Sequence, residues 1–379
     1  MKKAVSPFRY GTIVKGRFFT DREEEIKKLK NNFLSGINTV IISPRRWGKS
    51  SLVEKTAREI ISENKNMRVA FIDLFNVKTE IEFYEKFAKE VIKACSSKFE
   101  DVLNDAKDLL KNIIPVFHIS PVPEADFKLS FNWDDAEKYK DDILDLPERI
   151  AVKRKIKLVV CIDEFQNLAN VSGFQSIEKK LRAHWQKHGN AAYCLYGSKK
   201  HMLKEIFTSS GKPFYRFGDI FFLNKIKAEK WLAFIVKSFE STGKSILEKP
   251  AMKIIELMDC HPWYVQQLSY YVWNISGKSV TEKDVITANE QVINTNSPLY
   301  IRDCENLSST QVNLLTAIVS GEKMLTSAAV MQKYSLGTPR NVSKNKEMLM
   351  NNDFIDEFDG KICFVDPVFL QWFKINYTP

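Results

Sequence analysis

Lys49 and Ser50 follow Gly48 inside the segment ISPRRWGKSSLV, residues 42–53. A nucleotide phosphate is held by the pattern Gly, any four residues, Gly-Lys, then Ser or Thr, placed between a strand and a helix. NTVII (38–42) ahead of the segment has the composition of a strand, and SSLVEKTAREIISENK after it has a helical period. Ser43 stands where the pattern has its first glycine, so the match departs at one position. The chemistry survives if Ser43 reaches the needed backbone angles, because successive amides at a helix N-terminus cradle phosphate. Lys49 would then reach the β- and γ-phosphates, and Ser50 would hold Mg²⁺. An exposed turn that happens to read Gly-Lys-Ser is the plainer alternative; the strand–loop–helix setting favours phosphate binding.

A second segment, KLVVCIDEFQNL (157–168), is an apolar strand that ends in two carboxylates. Strand ends of this kind are common and usually mean nothing more. Downstream of a phosphate loop they read as a Walker B segment. Asp163 would serve Mg²⁺, a hard cation that prefers carboxylate oxygen. Glu164 would orient or deprotonate an attacking water.

The elements that must position these groups are legible as five short apolar runs: 38–43, 68–74, 157–163, 191–198 and 219–223. Continuous runs rich in Val, Ile, Phe and Tyr suit a parallel sheet buried on both faces. Amphipathic helical stretches lie between them, so the expected core is α/β, and with the phosphate loop it reads as a P-loop NTPase core with a parallel sheet. Residues 1–224 are assigned to this core. A more polar insertion at about 99–150 carries a Pro-rich piece (119–127) and an acidic run (134–142). Residues 225–306 read as an all-helical lid. Residues 307–379 read as three helices followed by FIDEF and KICFVD, with Asp359-Gly360 as the hairpin turn. That order makes a winged helix-turn-helix.

Lys and Arg number 57 against 47 Asp and Glu, a formal charge of +10. Such a balance raises the odds of a polyanionic partner, although a solvated basic surface explains it as well. The six cysteines are far apart, with no metal-ligand spacing, and read as free thiols of a reducing compartment. MKKAVSPFRYG lacks the apolar core of a signal peptide, and no stretch approaches a membrane span. A cytoplasmic protein without membrane contact is expected.

With these motifs in place the chain resembles the archaeal-type P-loop ATPases in the STAND-related branch of the AAA+-like superfamily. The resemblance spans nearly the whole chain. It rests on FFTDREEEIKKL (18–29), PRRWGKSSLV, CIDEFQ, GSKKHML (197–203), KPFYRFGDI (212–220), the His261-Pro262 dipeptide and the C-terminal winged helix. It implies an ATP-hydrolysing, Mg²⁺-dependent switch and selects ATP over GTP, for which no base-reading motif is present. By the same resemblance Arg22 and Glu23 would lie on the adenine side. Pro44, Arg45, Arg46, Trp47, Gly48, Lys49, Ser50 and Ser51 would form the phosphate loop, with Arg45 and Arg46 touching the nucleotide or else pairing with local carboxylates. Ser198 would sense the γ-phosphate. Arg216 would act on it in cis or across a subunit boundary, or else form a structural salt bridge. His261 and Pro262 match the lid signature, with Asp259 and Cys260 replacing its two glycines. His261 could equally satisfy a core hydrogen bond, and Trp47 could pack against the sheet edge rather than contact nucleotide.

The winged helix suggests double-stranded DNA as a partner, but its charges argue for caution. From residue 307 onward seven Lys and Arg face seven Asp and Glu, so the excess of +10 lies upstream. The third helix carries Arg340, Lys344 and Lys346 against Glu347, while the wing carries Asp353, Asp356, Glu357 and Asp359 against Lys361. Four carboxylates would repel a phosphate backbone. Three readings follow: an ATPase switch whose hydrolysis moves the lid and winged helix, a nucleotide-regulated DNA-binding module, and a protein-interaction scaffold that self-associates with nucleotide and serves a protein client.

Overall fold

The structure is a computed structural model that describes residues 5–96, 115–118, 128–131, 136–358 and 360–378. By contacts the chain divides into two units. One comprises Arg22–Arg45 and Lys49–Leu223; the other comprises Met1–Asp21, Arg46–Gly48 and Asn224–Pro379.

The first unit is built on a parallel sheet of β1 (Thr39–Ile42), β2 (Met67–Asp73), β5 (Lys157–Asp163), β6 (Ala191–Gly197) and β7 (Asp219–Phe222), in the order β2-β5-β6-β1-β7. All five apolar runs of the sequence therefore enter one sheet. The three inner strands are buried along nearly their full length, as continuous runs require. β2 lies at an edge and is buried only in part. Helices α1 (Glu23–Leu34), α2 (Lys49–Glu63), α3 (Glu80–Cys95), α4 (Ala136–Leu144), α5 (Leu146–Arg154), α6 (Phe174–Trp185) and α7 (Lys200–Thr208) belong to the same unit. Thr79 and Glu82 form a capping box that starts α3, which turns Phe83, Phe87 and Val91 into the core. Trp185 stacks on Tyr193 at 4.1 Å and on Phe87 at 5.8 Å.

Within the insertion, β3 (Pro115–His118) pairs antiparallel with β4 (Lys128–Phe131). Helices α4 and α5 contribute Ile143, Leu144, Leu146 and Ile150 to the main core. The Pro-rich piece 119–127 lies outside the described residues, as do 134 and 135 of the acidic run; the rest of that run falls in α4.

The strand order has one consequence for the site. β1 and β5, which carry the two motifs, are not neighbours; β6 lies between them, with Ile42 in register with Gly197. Three strand ends thus reach the same edge of the sheet, and residue 198 stands between the two motifs.

The second unit contains α8 (Ala228–Glu240), α9 (Glu248–Leu257), α10 (Pro262–Ile275) and α11 (Glu282–Glu305), with β8 (Ser245–Ile246) pairing parallel to β9 (Ser279–Val280). It continues into α12 (Ser309–Val319), α13 (Ala328–Lys333) and α14 (Pro339–Asn351), then the antiparallel pair β10 (Ile355–Phe358) and β11 (Lys361–Phe364). This is the winged helix read from the sequence. Asp359 of its turn lies outside the described residues. A last helix, α15 (Pro367–Tyr377), escapes the sequence reading, which stops at the hairpin. Its signal is present: Asp366 caps the backbone N–H of Val368 and Phe369, and Pro367 occupies the first turn. Val368, Phe369, Trp372 and Phe373 on α15 are buried with Tyr300 and Leu314. Phe8, from the chain's start, packs in the same core against Phe234 and Phe239.

Candidate nucleotide-phosphate site

The loop between β1 and α2 takes its shape from two left-handed residues, Arg46 at φ 64° and Gly48 at φ 88°. Ser43 is not among the positive-φ residues, so nothing in the fold demands glycine there. It is buried, as is Pro44. Lys49 opens α2 and is itself buried; its ammonium donates to the carbonyls of Pro44 at 2.8 Å and Ser43 at 3.2 Å. Ser50 Oγ donates to Asp163 Oδ2 at 2.7 Å. Ser51 is buried on the next position of α2. Arg45 is exposed and its Nε donates to Ser198 Oγ at 3.4 Å.

Asp163 ends β5. Burial, the largest influence, raises its carboxyl to about 6, offset in part by the Ser50 hydroxyl; Glu164 raises it further, and the Glu164 N–H and Lys49 act to lower it. Its second oxygen accepts the Glu164 backbone N–H at 2.8 Å. Glu164 itself sits at φ 52°, a left-handed conformation that is uncommon for a residue with a Cβ and tends to mark functional sites. One oxygen of its carboxylate, Oε2, accepts three donors: Ser198 Oγ at 2.9 Å, the Ser198 N–H at 3.3 Å, and Gln166 Nε2.

Ser50, Asp163, Glu164, Ser198 and Arg45 are thus joined by hydrogen bonds around three strand ends, and Lys49 stands next to Ser50 with its ammonium on the loop carbonyls. Arg22, Glu23 and Arg216 lie outside that bonded set. Arg22 is buried at the start of α1 and pairs with Glu25 at 2.8 Å; Glu23 is exposed. Arg216 is exposed at φ 53°, with its guanidinium over the Tyr215 ring at 5.1 Å, and no carboxylate among the described residues pairs with it. Gln166 is the member that sequence reasoning missed. Its position two residues after Glu164 in CIDEFQ was visible, but a lone glutamine has no pattern to flag it.

The remaining predicted residues belong to the second unit. Arg46 donates to Tyr264 Oη at 3.0 Å and lies over the Trp263 ring at 4.6 Å. Trp47 is buried and stands edge-on to His261, with centroids 6.2 Å apart. Pro262 is the first residue of α10, half-buried, and His261 is that helix's N-cap: its Nδ1 accepts the Trp263 N–H at 3.2 Å, which leaves the proton on Nε2. Asp259 and Cys260, where the family signature has glycines, both hold positive φ, 48° and 56°.

Burial pushes His261 down to about 3, helped by the positive charges of Lys225 and Arg46. The folded state therefore holds the neutral imidazole well below the ordinary value of 6.5. The stability this contributes is complete above pH 6.5 and is lost as the pH falls toward 3, since the unfolded chain takes up the proton first. Between pH 7 and 5 the loss is about 2 kcal/mol. His261→Asn keeps a capping acceptor and removes the titration. Urea unfolding at the two pH values should show the wild type losing about 2 kcal/mol more than the variant. Equal losses would show that His261 is not the group responsible.

Among the described residues no cluster of three or more His, Cys, Asp or Glu could hold a metal alone. The pair Ser50 Oγ and Asp163 Oδ2 is a different kind of site. Mg²⁺ is commonly bound by one or two protein oxygens and completed by substrate phosphates, and this donor set fits it.

Comparison with known proteins agrees with the architecture. A family model described as "ATPase domain predominantly from Archaea" matches residues 19–268, and one described as "Probable winged helix domain" matches 298–375. None of the curated proteins matches in sequence. Among solved structures, a Walker-type ATPase of Pyrococcus abyssi superposes with a TM-score of 0.68 at 17% identity, over 97% of this chain and 99% of that one. The Aeropyrum pernix ORC2 protein, described in ADPNP–ADP complexes, superposes with a TM-score of 0.58 at 14% identity, over 97% and 98%. At such identities the likeness establishes the fold.

Proposed function

The chain belongs to the family of ATPase domains found predominantly in Archaea, and on that premise we propose that it binds and hydrolyses ATP with Mg²⁺ and works as a molecular switch. The observation that carries this reading is the hydrogen-bonded set Ser50, Asp163, Glu164 and Ser198 at the strand ends, with Lys49 next to Ser50 and its ammonium on the loop carbonyls of Ser43 and Pro44. That the Aeropyrum protein is described in ADPNP–ADP complexes supports an adenine nucleotide as the ligand.

Lys49 would exchange its loop carbonyls for β- and γ-phosphate oxygens. The amides opening α2 would bind the same phosphates. Ser50 and Asp163 would hold Mg²⁺, which when bound neutralises phosphate charge. Glu164 would accept a proton from a water as that water's oxygen bonds to the γ-phosphorus. The bond from phosphorus to the β–γ bridging oxygen breaks, and ADP and inorganic phosphate result. Arg45 would supply a donor to the transferred phosphoryl group, while Ser198 gives its hydroxyl and its N–H to Glu164. Arg216, exposed and without a carboxylate partner among the described residues, is read as an arginine for a second copy's γ-phosphate. Arginines in that role are worth about 10³–10⁵ in rate. Turnover per molecule that rises with protein concentration supports this assignment; a constant value removes it.

We read the winged helix as a protein-contact module rather than a DNA reader. Lys346 of α14, one of the three basic residues expected on a recognition helix, is bonded to Glu357 of the wing at 2.7 Å. ATP turnover measured with and without Mg²⁺, and with and without duplex DNA at low salt, tests both readings. The expected result is turnover that requires Mg²⁺ and is indifferent to DNA. No turnover above the Lys49→Ala background would remove the ATPase reading, and DNA-stimulated turnover would remove the protein-contact one.

A further inference from the structure

Gln166 is an expensive residue where it stands. It is 1% exposed on the short 3₁₀ turn Phe165–Asn170, and its amide oxygen has no hydrogen-bond partner among the described residues. A buried carbonyl without a partner bears its full desolvation penalty. The neighbouring strand makes way for it: a Cβ on Gly197 would overlap Gln166 Oε1 and stand 3.3 Å from Glu164 Cα. Gly197 is not a positive-φ residue, so the backbone does not require glycine there; the room for Gln166 does. Stability alone favours leucine or methionine at 166, next to buried Phe165 and Leu168.

Among the described residues this side chain makes one hydrogen bond, from Nε2 to Glu164 Oε2. That contact fixes the amide's orientation, since the reversed amide would set oxygen against a carboxylate. Ser198 donates to the same oxygen twice, from its hydroxyl and its backbone N–H. Oε2 therefore has its acceptor sites filled by donors on two elements, the turn after β5 and the end of β6. Oε1 remains as the carboxylate's other acceptor.

We propose that Gln166 is a positioning residue: with Ser198 it clamps Oε2 of Glu164, so that Oε1 is presented to water in a fixed direction. Gly197 is part of the device because it clears the space in which the Gln166 amide turns. This rests on the reading of Glu164 as the base for ATP hydrolysis and deepens it. Without the clamp the carboxylate rotates about its terminal torsion, which is broad for glutamate, and spends less time aimed at the water.

The test is steady-state ATP hydrolysis by wild type, Glu164→Gln, Gln166→Leu and Gly197→Ala, beside thermal melting of each without nucleotide. Gln166→Leu should lower kcat about 10–100-fold with KM for ATP unchanged, as misplacing a catalytic group does. Its melting temperature should equal or exceed that of the wild type, which separates positioning from a general loss of structure. Gly197→Ala should reproduce the kcat loss, because its Cβ displaces the glutamine. Gln166→Leu added to Glu164→Gln should change turnover no further. A Gln166→Leu kcat equal to wild type overturns the proposal, and so does a kcat loss accompanied by a large fall in melting temperature. If the wild type itself shows no turnover that Glu164→Gln reduces, the parent reading falls and the clamp falls with it. An active wild type with an unaffected Gln166→Leu removes the clamp alone.

Discussion

Replacing Lys49 with alanine is expected to abolish measurable nucleotide binding while the fold persists. The Lys49 ammonium is buried, with two carbonyls of its own loop as acceptors. In the proposed complex it meets phosphate oxygens instead. A hydrogen bond to a charged group is worth about 1.5–3 kcal/mol, so losing two costs about 3 kcal/mol or more, at least 100-fold in affinity. Fluorescent-nucleotide titration reads this directly. The variant leaves two loop carbonyls short of a donor, which costs about 1–2 kcal/mol of stability. Its melting temperature should therefore fall only by about 2–8 °C. Affinity within threefold of wild type would mean that the loop does not bind phosphate through Lys49.

The second large effect is expected from Glu164→Gln. The amide keeps a carbonyl that accepts from Ser198 and Gln166, so the local geometry survives, but it cannot take a proton. General-base catalysis contributes about 10²–10⁴ in rate, and kcat should fall by that factor. Affinity for ATP should be unchanged, because the ligands for phosphate and metal are other residues. Single-turnover hydrolysis with enzyme in excess separates the chemical step from product release. A variant that cleaves ATP at the wild-type rate would move the base elsewhere.

How much of this could be read from the chain differs by element. The five apolar runs were legible as short continuous apolar stretches, and each entered the sheet, the three inner ones buried along nearly their full length. The three helices and hairpin of the winged helix were legible from period and turn chemistry. α15 was not: it lies beyond the hairpin that completes the motif, and its apolar run PVFLQWF after the Asp366-Pro367 cap is as compatible with a strand as with a helix. In the site, Lys49, Ser50, Asp163 and Glu164 carry a spacing that chemistry imposes, so the sequence displays them. Gln166 acts through a bond whose partner is set by a left-handed turn at Glu164, and backbone handedness at a non-glycine residue leaves no mark in composition. The same holds for Arg46, whose φ of 64° stands beside Gly48 in the loop.

The bonds from Lys49 to Ser43 and Pro44 make ligand capture an exchange rather than an addition. An entering group must outcompete two carbonyls already held by the ammonium. A neutral or singly charged molecule offers little more than those carbonyls do, whereas a polyphosphate offers several anionic oxygens at once. On the proposed reading the loop would act as a threshold element: its resting bonds would set a minimum ligand charge, and an uncharged nucleoside would fall short where a triphosphate succeeds.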